Sequence, residues 1–172
     1  MNMSIEAFKS RVLPAKDKMY RFAKRLLNDE EEAKDIVQEA MIRVWNKRDE
    51  MHTYLNMEAW CMRIVRNLSL DRLKSKQYNL DRLDNAYGLG TSGANPEQRT
   101  EIDDTMENIH HFIASLPDKQ RQIMQLRDIE GFSYKEIGDI LKLDANNVKI
   151  NLFRARKSVR ENLLNINAYG LK

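Results

Sequence analysis

The 172-residue chain is poor in the residue types that indicate secreted, metal-binding or membrane proteins. Cys61 is the only cysteine, so no internal disulfide can form, and three histidines without a second thiol make no recognisable zinc set. No apolar run approaches the roughly 20 residues that a membrane-spanning helix needs. The N-terminal residues also lack the apolar core of a secretory signal. We therefore expect a cytoplasmic protein without metal and without membrane insertion.

The chain also lacks a recognisable catalytic set. No serine, carboxylate pair or phosphate-cradling glycine loop occurs at useful spacing, and nothing orients Cys61 or the His110-His111 pair for nucleophilic or acid–base chemistry. We expect a protein that is not an enzyme and that carries no cofactor.

The net charge of +3 is low for a protein that grips DNA unaided, but the charges are unevenly distributed. Acidic residues crowd positions 29–39, whereas basic residues concentrate in positions 63–76 and near the end of the chain. This pattern indicates separate surfaces for protein and for nucleic acid.

Hydrophobic periodicity divides the chain into two parts. It lapses over 77–100, where glycine, serine and proline cluster, and it is helical on both sides of that segment. No run shows convincing strand alternation. The sequence therefore predicts an all-α protein with two small helical domains, 1–76 and 102–172, joined by a flexible linker at 77–101.

In the first part, a helix should run from about Ile5 to Leu27, interrupted near Pro14 because proline removes a backbone hydrogen bond. A second helix begins after a cap at Asn28 or Asp29, followed by acidic residues that suit its N-terminal end. A third helix follows Asn56 and places Trp60 in the core.

The segment from Ser133 to Leu163 predicts a helix-turn-helix. Gly131 can end the preceding helix in a left-handed conformation, and the run from Ser133 to Glu136 has the spacing of a capping box. Gly138 allows a neighbouring helix to approach closely. Asp144 is a good N-cap for the second helix. The buried stripe of that helix is Val148, Leu152, Ala155, Val159 and Leu163.

The rest of the second helix is amide-rich and cationic, with one exposed aliphatic residue. Its predicted DNA-contacting residues are Asn146, Asn147, Lys149, Ile150, Asn151, Arg154, Arg156 and Lys157. Asparagine can pair with an adenine edge, isoleucine can contact a thymine methyl, and arginine or lysine can bond guanine or phosphate. The helix is therefore predicted to enter the major groove.

Several motifs, in this order and at this spacing, resemble the bacterial extracytoplasmic-function (ECF) class of RNA polymerase sigma factors. They are Asp35-Ile-Val-Gln38-Glu39-Ala-Met-Ile-Arg43-Val-Trp45, Ala59-Trp60-Cys-Met-Arg63-Ile-Val-Arg66-Asn67-Leu-Ser-Leu-Asp71-Arg72, Leu116-Pro117, Tyr134-Lys-Glu136-Ile137-Gly, Asn147-Val148-Lys149 and Arg154-Ala-Arg156. The resemblance covers almost the whole chain except the linker. It implies a protein that binds core RNA polymerase and directs it to promoters by reading duplex minus-thirty-five and melted minus-ten elements. Family members are commonly held by an anti-sigma factor.

The resemblance also implies roles for residues of the first domain. The residues matching the polymerase-docking helix are Asp35, Gln38, Glu39, Arg43 and Trp45, and those matching the minus-ten surface are Tyr54, Asn56, Arg63, Arg66, Asn67 and Arg72. Ile150-Asn151 stands where many members have Ser-Arg, so we expect a different promoter preference.

A second class of function is a helix-turn-helix regulator that binds duplex DNA as a symmetric dimer without polymerase. The acidic second helix and the basic third helix argue against it, because a sensor domain needs neither.

Overall fold

The structure is a computed structural model that describes residues 4–54, 56–84 and 101–169. The chain divides into two compact units, which consist mainly of a helical bundle before residue 85 and of a helix-turn-helix unit after residue 100. These described residues form helices and turns and no β-strand, which confirms the all-α prediction. Among them, no helix is long and apolar enough to cross a membrane.

The first unit begins with a helix that proline interrupts, as predicted. Helix α1 spans Ile5–Val12 and is capped by the Ser4 hydroxyl. A short 3-10 turn at Leu13–Ala15 carries Pro14, and α2 follows at Lys16–Leu27. The missing proline N–H is tolerated here because it lies at the start of a new helical segment.

Helices α3 and α4 complete the first unit. Helix α3 spans Glu30–Asn46, and the Asp29 carboxylate accepts a hydrogen bond from a first-turn backbone N–H at 3.0 Å. Asn28 instead ends α2 in a left-handed conformation, with φ of 52°. A 3-10 segment at Arg48–Thr53 leads to α4, which spans Met57–Asp84.

Helices α2, α3 and α4 pack against one another around an apolar core. The largest fully buried side chains of this unit are Phe22, Met19, Ile36 and Met62. Trp60 is 5% exposed, which confirms its predicted place in the core. The Cys61 thiol is also buried, and burial raises its pKa to about 12 because the thiolate would be poorly solvated.

The predicted start of the linker at residue 77 is wrong, because α4 continues for about two more turns to Asp84. The side chains of residues 77–82 are exposed, and the Gln77 amide donates to the Asp81 carboxylate at 2.7 Å. A helix stabilised by such contacts needs no buried stripe, so the loss of periodicity did not mark its end. The predicted linker residues 85–100 lie outside the described residues.

The second unit contains four α-helices within 101–169. These are α5 at Glu101–Ser115, α6 at Asp118–Met124, α7 at Tyr134–Leu141 and α8 at Ala145–Tyr169, and a π-helical turn at Gln125–Ile129 extends α6. Helices α5 and α6 pack against α8. Buried apolar residues at one such contact are Ile113, Leu116, Ala155 and Val159.

Gly138 lies against the turn after α7 and not against a neighbouring helix. A Cβ atom at Gly138 would lie 2.5 Å from the carbonyl oxygen of Leu143. The Leu143 N–H also donates to the Gly138 carbonyl at 2.9 Å, and Lys142 turns the chain with a φ of 56°. The missing side chain therefore lets the turn fold back onto α7.

Candidate nucleic-acid interface

Local hydrogen bonds fix the start of α7 as the sequence predicts. Gly131 has a φ of 79° and ends the preceding segment. The Ser133 hydroxyl accepts from the Glu136 N–H at 3.2 Å, while the Glu136 carboxylate accepts from the Ser133 N–H at 2.7 Å. This reciprocal pair is a capping box, and it satisfies two backbone donors that the helix leaves free.

A second cap fixes the start of α8. The Asp144 carboxylate accepts from the backbone N–H of Asn147 at 2.9 Å and from the side-chain amide of Asn147 at 2.5 Å. These hydrogen bonds, led by that from the backbone, lower the pKa of Asp144. The predicted N-cap is therefore confirmed.

This cap predicts a pH-dependent contribution to stability. The pKa of Asp144 is lower in the folded than in the unfolded chain, so its contribution is full above the unfolded pKa and is lost as the pH falls through the folded pKa. Replacing Asp144→Asn keeps a capping acceptor but removes the ionisation. We expect the stability difference between wild type and variant to shrink on acidification, measured by denaturant unfolding at several pH values. A difference that is constant with pH would contradict this role.

The face of α8 opposite the core carries the exposed residues. Val148 and Leu152 are buried, and Leu163 is half-buried against the cluster of α5 and α8. We call the exposed side of the first turns the reading face, which comprises Asn146, Ile150, Phe153, Arg154 and Lys157. Its aliphatic member, Ile150, is 49% exposed.

Phe153 belongs to the reading face although the sequence analysis did not select it. Its side chain is 69% exposed, which is unusual for an aromatic residue in a folded unit. The signal was present in the sequence, because Phe153 lies about 130° around the helix from the centre of the buried stripe. With Tyr134, Lys149 and Lys157 it lines an open cleft of about 660 Å³. Aromatic and cationic side chains together suit contacts with bases and phosphates.

Several of the predicted DNA-contacting residues have contacts within the protein. The Asn147 amide takes part in the Asp144 cap, and the Asn151 amide donates to the Asn147 carbonyl at 2.8 Å. Arg156 pairs with the Asp128 carboxylate through two hydrogen bonds. Lys149 lies with its Nζ 5.8 Å from the centre of the Tyr134 ring. The remaining predicted residues, Asn146, Ile150, Arg154 and Lys157, are exposed.

The predicted minus-ten residues lie on and before α4, but not all on one side. Arg63 and Asn67 are one turn apart on its outer side, and Arg66, next to them, is half-buried, which lowers its pKa. Arg72 follows Arg63 by nine residues, or two and a half turns, and therefore faces the opposite side of α4. Arg72 is therefore separated from Arg63 and Asn67, the other predicted minus-ten residues on the outer side of α4.

The segment before α4 is held by contacts with that helix. Tyr54 stacks on Trp60 with their ring centroids 4.5 Å apart. The Asn56 side chain accepts from the Ala59 N–H at 3.0 Å, which confirms Asn56 as the cap of α4. The rings and the cap fix where the chain enters the helix.

The outer face of α3 carries the predicted docking residues. Asp35 and Gln38 are exposed on it, and Ile42, which the sequence analysis did not select, is 58% exposed on the same side. We call these three residues the docking face. Glu39 and Arg43 form an ion pair at 2.7 Å beside it.

Trp45 has contacts within the first unit. Its ring meets Phe8 edge to face with centroids 5.1 Å apart, and the Arg48 guanidinium lies 4.8 Å from its centre. The side chain is half-buried. Trp45 therefore fastens α1 to the end of α3, whatever else it contacts.

No group of three or more histidine, cysteine, aspartate or glutamate side chains is arranged to hold a metal ion within the described parts of the chain.

The second unit carries a capped helix-turn-helix, and the first is a bundle with a basic helix and an acidic one. Together these features define a two-domain DNA-binding protein of transcription.

Comparisons with known proteins specify the family. Residues 13–78 match the family model "Sigma-70 region 2", and residues 106–159 match "Sigma-70, region 4". The chain is 33% identical to "ECF RNA polymerase sigma factor SigW" of Bacillus subtilis, over 92% of this chain and 89% of the relative. It is 32% identical to "ECF RNA polymerase sigma factor SigE" of Mycolicibacterium smegmatis, over 86% of this chain and 58% of that relative. The chain belongs to the ECF RNA polymerase sigma factors.

The fold agrees with that assignment. The sigma factor RpoE of Bartonella quintana, solved in complex with the anti-sigma factor NepR, superimposes with a TM-score of 0.75 at 24% identity, covering 94% of this chain and 99% of that one. CnrH, solved in complex with the cytosolic domain of CnrY, superimposes with a TM-score of 0.66 at 19% identity, covering 92% and 88%. Because the family models and the sequence relatives show a sigma factor, the dimeric regulator is not favoured, and this chain is a factor that directs RNA polymerase to promoters.

Proposed function

We propose that this sigma factor reads the duplex minus-thirty-five element with the reading face of α8. The observation that carries the proposal is the exposure of Asn146, Ile150 and Arg154 above the buried Val148 and Leu152. An asparagine near the start of the helix suits an adenine edge, and an exposed isoleucine suits a thymine methyl. Arginine further along the helix suits guanine or phosphate.

The proposed minus-ten surface is the outer side of α4 with the segment before it. Arg63 and Asn67, with Arg66 beside them, can follow the backbone of an unpaired strand. Tyr54 and Asn56, which precede the helix, are assigned to the contact with an exposed base at its start. Arg72 is left out of this surface because it faces the other side of α4.

The proposed contact with core RNA polymerase is the docking face of α3. Asp35 is exposed and negatively charged, which suits a basic partner surface. Ile42 supplies an apolar side chain between polar neighbours, and removing such a side chain from water favours binding when a partner covers it.

Reconstituted transcription tests the function as a whole. Core RNA polymerase with the chain should initiate from a subset of a promoter library, and core enzyme alone should not initiate from that subset. Initiation that is the same with and without the chain contradicts the proposal. Tight duplex binding by a symmetric dimer in the absence of polymerase would instead support the regulator alternative.

The docking face carries its own prediction. We expect Ile42→Ser to weaken binding to core polymerase by about fivefold to tenfold, because a covered aliphatic side chain is lost from the interface. The fold should be unaffected since this side chain is mostly exposed. Titration of labelled core enzyme measures the affinity. Leu80→Ser is the matched control, because Leu80 is 54% exposed on the distal part of α4. Equal losses in both variants would contradict a specific docking role.

The remaining proposals concern partners and location. The solved structure of RpoE, which has a similar fold, holds an anti-sigma factor, and we propose a protein of that kind as a partner that covers the docking face. We also propose that the protein acts in the cytoplasm and leaves all catalysis to the polymerase. The two partners should then compete for the docking face. If the chain still binds core enzyme while such an inhibitory protein is bound to it, this proposal is wrong.

A further inference from the structure

The π-helical turn Gln125–Ile129 places two charged side chains against the helix-turn-helix. Gln125 and Leu126 are buried, whereas Arg127 and Asp128 reach the elements that follow. A π turn widens the helix and re-aims the side chains that it carries, and such turns occur often at functional sites. The two side chains therefore connect α6 to the DNA-binding elements.

Arg127 supports the start of α7. Its guanidinium donates to the Phe132 carbonyl at 2.9 Å and lies 4.9 Å from the centre of the Tyr134 ring. The Lys149 ammonium of α8 approaches the same ring. This arrangement brings two cations to the ring of Tyr134, which lines the same open cleft as Phe153.

Asp128 holds Arg156 of α8 across 28 positions of sequence. Its Oδ2 accepts from Arg156 Nε at 3.0 Å, and its Oδ1 accepts from Arg156 Nη2. A side-on pair of this kind fixes the plane of the guanidinium as well as its position. Half of the Arg156 side chain remains exposed, against 29% for Asp128.

The pair leaves Arg156 able to bind a phosphate. A guanidinium has more N–H donors than the two that Asp128 accepts, so donors remain on Nη1 and Nη2. Arg156 also lines the open cleft with Lys149, Lys157 and Arg160. A phosphate on this flank of α8 would therefore meet an arginine that is already oriented.

We propose that Asp128 is a positioning residue for promoter binding, which holds Arg156 so that its remaining N–H groups contact a backbone phosphate of the minus-thirty-five duplex. This inference rests on the proposed reading face of α8. It assigns a favourable role to a carboxylate that repels DNA by its charge alone. Removing the Asp128 charge should tighten DNA binding if the carboxylate merely neutralises Arg156, and should weaken it if the carboxylate positions Arg156. The direction of the change in promoter affinity therefore distinguishes the two roles.

The test measures promoter affinity of the reconstituted holoenzyme over a series of salt concentrations. Asp128→Asn removes a negative charge, yet we expect it to weaken binding by about threefold to tenfold, because Arg156 loses its charge-assisted pair. The dependence of log affinity on log salt should become shallower by up to about one unit, as one phosphate contact is lost. Glu161→Gln is the matched control. It neutralises an acid of α8 that lies 3.8 Å from Lys157, and it should leave affinity equal or higher.

A double-mutant cycle excludes a merely structural role. In an Arg156→Ala background, Asp128→Asn should no longer weaken binding. With Arg156 present, the Asp128→Glu variant should bind promoter DNA more tightly than the Asp128→Asn variant, because it keeps a carboxylate. Weakening that persists without Arg156, or binding by Asp128→Asn that is as tight as wild type, would overturn the proposal. The wild-type holoenzyme reports separately on the reading face, because that assignment fails if changing the minus-thirty-five sequence leaves its affinity unaltered.

Discussion

Replacing Leu152→Ala should destabilise the second unit by about 2–5 kcal/mol, because the substitution deletes a buried aliphatic group and leaves a cavity. Leu152 is 2% exposed and lies between Val148 and Ala155 on the buried stripe of α8. Such a loss is a large fraction of the stability of a small domain. The helix that carries the reading face would then unfold at a lower temperature or denaturant concentration.

Spectroscopy can assign that loss to one unit. Both tryptophans, Trp45 and Trp60, lie in the first unit, so their fluorescence follows its unfolding. Circular dichroism follows the helices of both units. We expect Leu152→Ala to move a circular dichroism transition while the fluorescence midpoint stays in place. Leu164→Ala is the matched control, because this leucine of α8 is 56% exposed and its truncation should change stability by less than about 0.5 kcal/mol.

Replacing Arg154→Ala should weaken promoter binding about tenfold on every minus-thirty-five sequence, because the lost cation neutralises phosphate whatever the neighbouring bases are. Arg154 is exposed on the reading face. Holoenzyme affinity for a set of promoter variants measures the effect, and the salt dependence should become shallower by about one unit.

Ile150→Ala provides the contrast on the same helix. Loss of an apolar contact with a thymine methyl should alter preference at one base pair and leave other positions unchanged. The exposed position of Ile150 means that stability should change little. If both variants lose affinity equally on all sequences, the division between base reading and phosphate contact is wrong.

The sequence predicts those parts of the fold that depend on local hydrogen bonds and on the repeat of apolar residues. The capping box from Ser133 to Glu136 and the cap at Asp144 each join residues three positions apart, so the sequence alone reveals them. The interruption at Pro14 follows in the same way from the chemistry of one residue. The family motifs then predicted the class of protein, which the comparisons confirm.

The remaining features depend on contacts between residues that lie far apart in the sequence and on which side chains the fold leaves exposed. The pairing of Asp128 with Arg156 joins separate elements, and nothing in the spacing of the two residues indicates it. Ile42 and Phe153 were not predicted as site residues, because large apolar side chains are usually buried and the exposure of these two is seen in the structure. The residues assigned to DNA and polymerase stay predictions, although their exposure can be read from the structure.

Because Cys61 is buried, the reactivity of its thiol reports local opening of the first unit. It is the only thiol, it lies inside the first unit, and its raised pKa keeps it protonated at neutral pH. A thiol-modifying reagent therefore reacts only after this bundle transiently unfolds, so the labelling rate measures how often that happens. Core enzyme that binds the bundle should slow the labelling of Cys61, and this effect can be measured without an engineered probe.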